Sequence, residues 1–287
     1  MPVFLALLLL LAAAIPVSAG QVLMAGRVDS PPVIDGSAVD SAWSGARIVT
    51  VHDAVADIDI TLRAVFSGDT LYLLGQFPDP TESRLHRQVI WNPAQQSYED
   101  GPTREDCLVL KWSMVPHETT LSLKENRPYR ADIWFWKASR TDHAGYADDK
   151  MQIYSTTRDK KAKLLLSESG TVFYLVRQTD QGQPAYQPIL HAAYSRDRVD
   201  KYEYQTPTGS RADIRAKGLW KDGAWTVEFA RKLNTGHPDD VGFSLTGAYP
   251  FGVSRYEIAG RDPEPEAETP LYGAGDVGEI LTLKFSP

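Results

Sequence analysis

With 287 residues, 43% of them hydrophobic and 23% charged, the chain is long and apolar enough to bury a full core, and it lacks the composition of a disordered one. Its net charge of -7 argues against nucleic acid as a partner, because such binding draws on a basic patch. A single cysteine, Cys107, excludes an internal disulfide, so the fold depends on its core alone.

Residues 2–15 form an apolar run that ends at Pro16, and Val17-Ser18-Ala19 supplies small residues for cleavage after Ala19. The run is short for a membrane span and polar sequence follows it. Residues 1–19 therefore read as a secretory signal peptide and 20–287 as the mature domain. No Lys or Arg precedes the run, which leaves an uncleaved anchor as the alternative. No cysteine stands near the cleavage site, so a lipid anchor there is excluded.

Pro31-Pro32 and Asp35-Gly36 predict an extended piece and a turn. Asp40-Ser-Ala-Trp43 then reads as a turn of helix that plugs Trp43 into the end of a sheet. Alternation over 58–66, the turn Ser67-Gly68-Asp69 and the run 70–77 predict a hairpin, stopped by Pro78 and Pro80. Residues 81–103 read as a long excursion at one end of the sheet. The run 105–114 is a further strand, with Leu108, Leu110, Trp112 and Met114 on one face. Cys107 within it reads as an inert core residue.

Short strands are expected at 164–166, 171–176 and 189–193. A second hairpin is expected from 213–220 and 224–231 about the turn Lys221-Asp222-Gly223, and late strands at 241–248, 251–257 and 278–285. No long stretch has helical periodicity. The expected fold is all-β, an antiparallel β-sandwich with long end loops, where a ligand would bind.

The stretch that organises the rest is Arg130-Ala-Asp-Ile-Trp-Phe-Trp-Lys-Ala138, followed by Gly145-Tyr-Ala-Asp-Asp149. As a strand it points Trp134 and Trp136 one way and Ile133 and Phe135 the other. Both faces are then apolar, which places the strand inside a sheet covered on each side. Two large rings side by side, ending at Lys137, suit either the core of a β domain or the wall of a pocket for a planar ligand.

Asp148-Asp149 and Asp239-Asp240 offer oxygen ligands to calcium but lack the spacing of a recognised loop, and they read as turn residues. Glu99-Asp100 and Glu105-Asp106 pair carboxylates in sequence only. His52, His86, His191 and His237 have no paired spacing that suggests zinc. Gly-x-Ser-x-Gly, a phosphate loop and His-Glu-x-x-His are all absent, so the chain is not expected to be an independent enzyme.

The order of motifs is Pro32-Val-Ile-Asp-Gly36, Asp40-Ser-Ala-Trp43, Glu105-Asp106 before a strand, Asp132-Ile-Trp-Phe-Trp-Lys-Ala138, and Arg231-Lys-Leu-Asn-Thr-Gly236. Together they resemble the haem-binding domain of the ethylbenzene dehydrogenase gamma-subunit family, also described as the DMSO-reductase-like haem-binding domain. The resemblance spans nearly the whole mature chain, and the Trp-x-Trp-Lys-Ala and Arg-Lys-Leu-x-Thr-Gly stretches are its most specific parts. The opening piece is also similar to family-nine carbohydrate-binding modules, which have a related sandwich.

The resemblance implies a periplasmic β-sandwich that holds a haem b between sheet and end loops. Such a domain passes electrons to or from a redox partner or a molybdoenzyme-type complex. On that reading Trp134 and Trp136 line the haem pocket and Lys137 approaches a propionate. Met114 or His117, flanking Pro116, supplies the axial ligand.

The chain departs from the family pattern in three places. Residues 121–128 hold no methionine where the family places an axial one, and residues 271–277 hold neither Lys nor His where it places the opposing ligand. No Cys-x-x-Cys-His follows Trp112. Lys124 and His143 are further replacement candidates, Lys124 only with its amine deprotonated by burial. Two other readings stand beside this one: a haem-free module that presents open aromatic faces to a glycan or other extracellular ligand, and a structural protein that docks a partner through an apolar patch.

Overall fold

Apolar–polar alternation makes the strands of this chain, and turn chemistry decides where they end. The computed structural model describes residues 20–53, 57–115, 120–254 and 277–286. The signal-peptide reading of 1–19 and the candidate ligand His117 lie outside the described residues. The first strands are β1 (Val22–Arg27), β2 (Val49–Asp53), β3 (Ile58–Ser67), β4 (Thr70–Pro78), β5 (Val89–Asn92) and β6 (Ser97–Asp100). Then come β7 (Cys107–Ser113), β8 (Tyr129–Lys137), β9 (Asp148–Ser155), β10 (Lys163–Leu166), β11 (Val172–Thr179) and β12 (Tyr186–Pro188). The last are β13 (Arg198–Val199), β14 (Tyr202–Tyr204), β15 (Arg215–Lys221), β16 (Ala224–Lys232), β17 (Ala248–Ser254) and β18 (Leu281–Ser286).

Thirteen strands form one sheet in the order β10-β11-β9-β8-β7-β17-β18-β1-β3-β4-β16-β15, with β2 beside β3. The sheet folds over on itself into a sandwich. Where its halves face, a Cβ on Gly75 of β4 would lie 2.6 Å from the Leu108 side chain of β7, and one on Gly218 of β15 2.2 Å from the Trp136 ring of β8. The main core fills this interior with side chains from both halves, among them Leu62, Leu73, Trp112, Trp134, Trp225 and Phe251. A second core, including Val109, Ile133, Tyr154 and Phe173, covers the other face of β7, β8 and β9. The organising strand β8 is thus apolar on both faces, as its sequence implies.

Both expected hairpins form. β3 turns into β4 at Gly68, φ 57°, and β15 into β16 at Asp222-Gly223, where both residues have positive φ (52° and 79°), the pair a two-residue hairpin loop favours. Trp43, in a short 3-10 turn at Ser41–Trp43, is buried against Val65 and Leu74. Its indole donates to Glu228 of β16 at 2.8 Å, and the N–H groups of Asp35 and Gly36 donate to the same carboxylate at 3.0 and 2.7 Å. The Ile-Asp-Gly…Asp-x-x-Trp piece is therefore a latch that one buried glutamate holds.

The structure corrects three expectations. β1 runs parallel to both of its neighbours, β18 and β3, so the sandwich is not wholly antiparallel. Residues 189–193 form no strand; β12 pairs with β14 instead, and Leu190 is 90% exposed because no second layer covers that stretch. Residues 241–247 are a loop, since the N–H of Val241 donates to the Asp132 carboxylate and that of Phe243 to the Leu233 carbonyl rather than to a ladder. No helix among the described residues is long and apolar enough to cross a membrane.

Candidate functional site

Trp134 and Trp136 project into the sandwich interior, and neither has exposed surface (0% each). Trp136 packs edge-on to Trp225, 4.9 Å between ring centroids, and its indole donates to Asp142 at 2.9 Å. Trp134 lies 5.1 Å from Trp112 and 6.2 Å from Phe243. Each indole buries on the order of 200 Å², about 5 kcal/mol of transfer free energy at ~25 cal/mol/Å². Opening this face to a planar ligand would forfeit most of that, so the two rings serve as core.

Lys137 points the other way, onto the outer face of β8. Its ammonium pairs with Asp148, lies 3.0 Å from the Tyr186 hydroxyl and sits over the Phe135 ring at 4.3 Å. Asp148 also takes Lys150 at 3.0 Å and the Tyr186 hydroxyl at 3.0 Å. Burial pushes the Asp148 carboxyl up, but the charges of Lys137 and Lys150 outweigh it and hold the group well below the usual carboxylate range. Both lysines are lowered, chiefly by burial, with the charge of Arg140 adding at Lys137 and that of Lys137 adding at Lys150, while Asp148 works against the shift. Tyr186 is pushed up to about 12 by burial and by the Asp148 charge. Lys137 is therefore committed to an internal pair.

The inner face carries a cluster of opposite sign, next to Trp134. Asp132 precedes Trp134 on the same face of β8, and Asp149 of β9 stands opposite Trp134 in the register. Arg231, at the end of β16, lies between them and the loop that follows it. Its Nη1 is 3.2 Å from Asp132 Oδ2, its Nη2 3.0 Å from Asp240 Oδ2, and its guanidinium 5.3 Å from the Trp134 ring centroid. The Oδ2 atoms are further engaged, that of Asp132 by the Val241 N–H at 2.9 Å and that of Asp240 by Thr235.

The remaining oxygens are left over: Asp132 Oδ1, Asp240 Oδ1 and both oxygens of Asp149 are buried and receive no hydrogen bond. One carboxylate oxygen from each of the three residues lies within 4.8 Å of the others, so the group has the dimensions of a metal site. Asp180 adds a carboxyl against Asp149. Burial raises Asp132 to about 6, despite Arg231 and with help from Asp240. It raises Asp180 to about 7, with Asp239 adding to the shift, and Asp149 well above the usual range, with Asp132 adding. A second group, Asp213, His237 and Asp240, adjoins the first through Asp240.

The remaining sequence candidates are scattered. Met114 is half-buried just beyond β7, where its N–H donates to the Arg130 carbonyl at 3.0 Å. Arg130 is the second residue of β8 and Lys137 its last, so Met114 and Lys137 are separated by about 23 Å of strand at ~3.3 Å per residue. Lys124 and His143 are exposed. Glu105 and Asp106 are latches: Glu105 takes Arg140 and two backbone N–H groups, and Asp106 takes the Trp225 indole at 2.9 Å. The structure thus separates the residues that the sequence grouped (Trp134, Trp136, Lys137 and Met114) and gathers Asp132, Asp149, Arg231 and Asp240. A faint signal for the second group stood in the sequence as Asp148-Asp149 and Asp239-Asp240, one residue of each pair entering the cluster.

One further surface stands out. On the small sheet of β13, β5 and β6, Trp91 meets Tyr98 at 5.1 Å and Tyr194 at 5.2 Å, and Tyr98 meets His191 at 5.3 Å. Tyr194 is 56% exposed.

A family model described as ethylbenzene dehydrogenase matches residues 37–260. Curated proteins give no match. Among solved structures, a family-nine carbohydrate-binding module from Caldicellulosiruptor kristjanssonii in complex with cellotriose is similar at 12% identity, TM-score 0.41, covering 93% of this chain and 95% of that one. A putative carbohydrate-binding protein from Bacteroides uniformis is similar at 11% identity, TM-score 0.42, covering 93% and 100%.

Proposed function

Because the chain belongs to the ethylbenzene dehydrogenase family, we propose that it is an exported, non-catalytic accessory domain that relays electrons for a redox partner of the molybdoenzyme type. The family match over most of the chain is the observation that carries this reading. The cofactor it calls for is a haem b.

The residues of the Trp134–Lys137 stretch do not fit a haem. The tryptophan faces are closed by core packing, and Lys137 is on the opposite face and paired with Asp148. The axial assignment therefore rests on Met114, one residue beyond β7, and on His117. A haem held there would supply one-electron exchange, and the protein would set its orientation and solvent access.

The test is the absorption spectrum of full-length protein purified from haem-replete cells. A Soret band that shifts on dithionite reduction is expected, and Met114→Ala or His117→Ala should alter it. A colourless protein that also fails to take up added hemin rejects the haem. An unchanged spectrum in both variants rejects the two ligands but keeps the cofactor.

The aromatic group of Trp91, Tyr98 and Tyr194 favours a second reading, a haem-free module that binds an extracellular glycan by stacking on these rings. Retardation of the protein in gels cast with soluble β-glucan, abolished by Trp91→Ala, is the expected sign of it. Equal mobility with and without the polysaccharide counts against it for that glycan.

A further inference from the structure

The inner carboxylate cluster is short of positive charge. Asp132, Asp149 and Asp240 converge from β8, β9 and the loop after β16; Arg231 pairs with Asp132 and Asp240, and His237 stands near Asp240 alone. Arg231 pairs with the Oδ2 atoms of Asp132 and Asp240, while their Oδ1 atoms, both oxygens of Asp149 (1% exposed) and the guanidinium's own Nε and Nη2 are buried without a well-directed hydrogen bond, and Asp149 meets the Asp180 carboxyl. Buried acceptors without partners are rare, because each forgoes the hydration it had in water. Either protons or a cation must complete the group.

The geometry points to a structural calcium site in which Asp132, Asp149 and Asp240 bind one ion on the inner face of β8 and β9. Every donor is a carboxylate oxygen, the choice of a hard cation, with no nitrogen or sulfur to favour zinc or copper. The three oxygens lie within 4.8 Å of one another, inside the span of one calcium, and three protein carboxylates suit calcium better than magnesium, which keeps several waters and usually takes one or two carboxylates. Such an ion would tie β8 and β9 to the loop carrying Asp239-Asp240, and would give the Arg231–Gly236 stretch a structural purpose. The inference goes beyond the electron-transfer reading and does not depend on it, so a colourless protein leaves it untouched.

The test uses full-length protein stripped with EGTA and desalted, with calcium chloride as the probe and magnesium chloride as the comparison. Calorimetric titration should find one calcium per chain. A hundredfold excess over Kd should raise the melting temperature by about 5–10 °C. Magnesium should give a smaller rise. Asp149→Asn should remove most of the calcium shift, while Asp59→Asn, at an exposed carboxylate on β3, should keep it. Absence of calcium binding and of any melting shift in the wild type overturns the inference. So does an equal shift in Asp149→Asn, which would put the ion elsewhere. Should Asp149→Asn fail to fold, terbium replaces calcium. Luminescence sensitised through tryptophan should then fall by about half or more in Trp134→Phe, the indole that faces Asp149 across the register, and an unchanged signal overturns the site.

Discussion

Asp148 and Asp149 follow one another on β9 and are both buried, yet their carboxylates face opposite sides of the sheet and meet different company. Asp148, on the outer face, has two ammoniums and a phenol, more donors than it needs. Asp149, on the inner face, has carboxylates for neighbours and no donor. Alternation along a strand is enough to separate the two environments. What differs is the covering layer: Lys137, Lys150 and Tyr186 close over one face, while Asp132, Asp180 and Asp240 crowd the other around a single guanidinium. A buried carboxylate is stabilising or costly according to its partners, and here one dipeptide contains both cases.

The largest effect should come from deepening the imbalance on the inner face. Arg231→Met removes the one guanidinium from the cluster and should lower stability by about 3–5 kcal/mol in EGTA, read from urea unfolding at neutral pH. On the outer face, Asp148→Ala leaves Lys137 and Lys150 facing each other without a carboxylate, at a cost of about 3 kcal/mol by the same measurement. Equal stability of wild type and Asp148→Ala would sink the contrast between the faces. Gly218→Ala tests the core that closes over Trp136. The new Cβ would meet the ring at 2.2 Å, and overpacking should cost about 1–3 kcal/mol.

The pH dependence sharpens the comparison further. Asp132, raised to about 6, and Asp180, raised to about 7, bind protons in the folded state at pH values where the unfolded chain has lost them. Their contribution therefore favours folding below these values and is lost as pH rises from about 4 to above 7. Melting temperatures in EGTA should fall over that interval, and calcium should flatten the fall by taking the protons' place. Asp148 has the opposite sign. Its folded-state pKa is depressed, so its contribution is present above the unfolded carboxylate range and is lost only in stronger acid. The smallest effect is Asp149→Asn in EGTA, which removes a carboxyl that burial and the Asp132 charge hold well above the usual range and should raise the melting temperature slightly.

Much of the architecture is written in local pattern. Alternation at 58–66 and 70–77 and the Asp222-Gly223 turn specify hairpins because the strand period and the positive φ of the turn are properties of a few adjacent residues. Trp43 as a plug is legible for the same reason, and so are the two apolar faces of β8. The parallel seating of β1 between β18 and β3 is not, because it joins the two ends of the chain. Nor could the order of residues tell whether Trp134 and Trp136 wall a pocket or fill a core. That depends on Gly218, Trp225 and Phe243 arriving from the opposite half of the sheet. The carboxylate cluster is the extreme case. Asp132, Asp149 and Asp240 look like unrelated turn and strand residues in the linear chain, and they meet only because the sheet folds over and brings the loop after β16 onto β8 and β9. Short-range sterics choose the strand and the face of each side chain; which charges then share a buried space is a long-range outcome of how the faces are stacked.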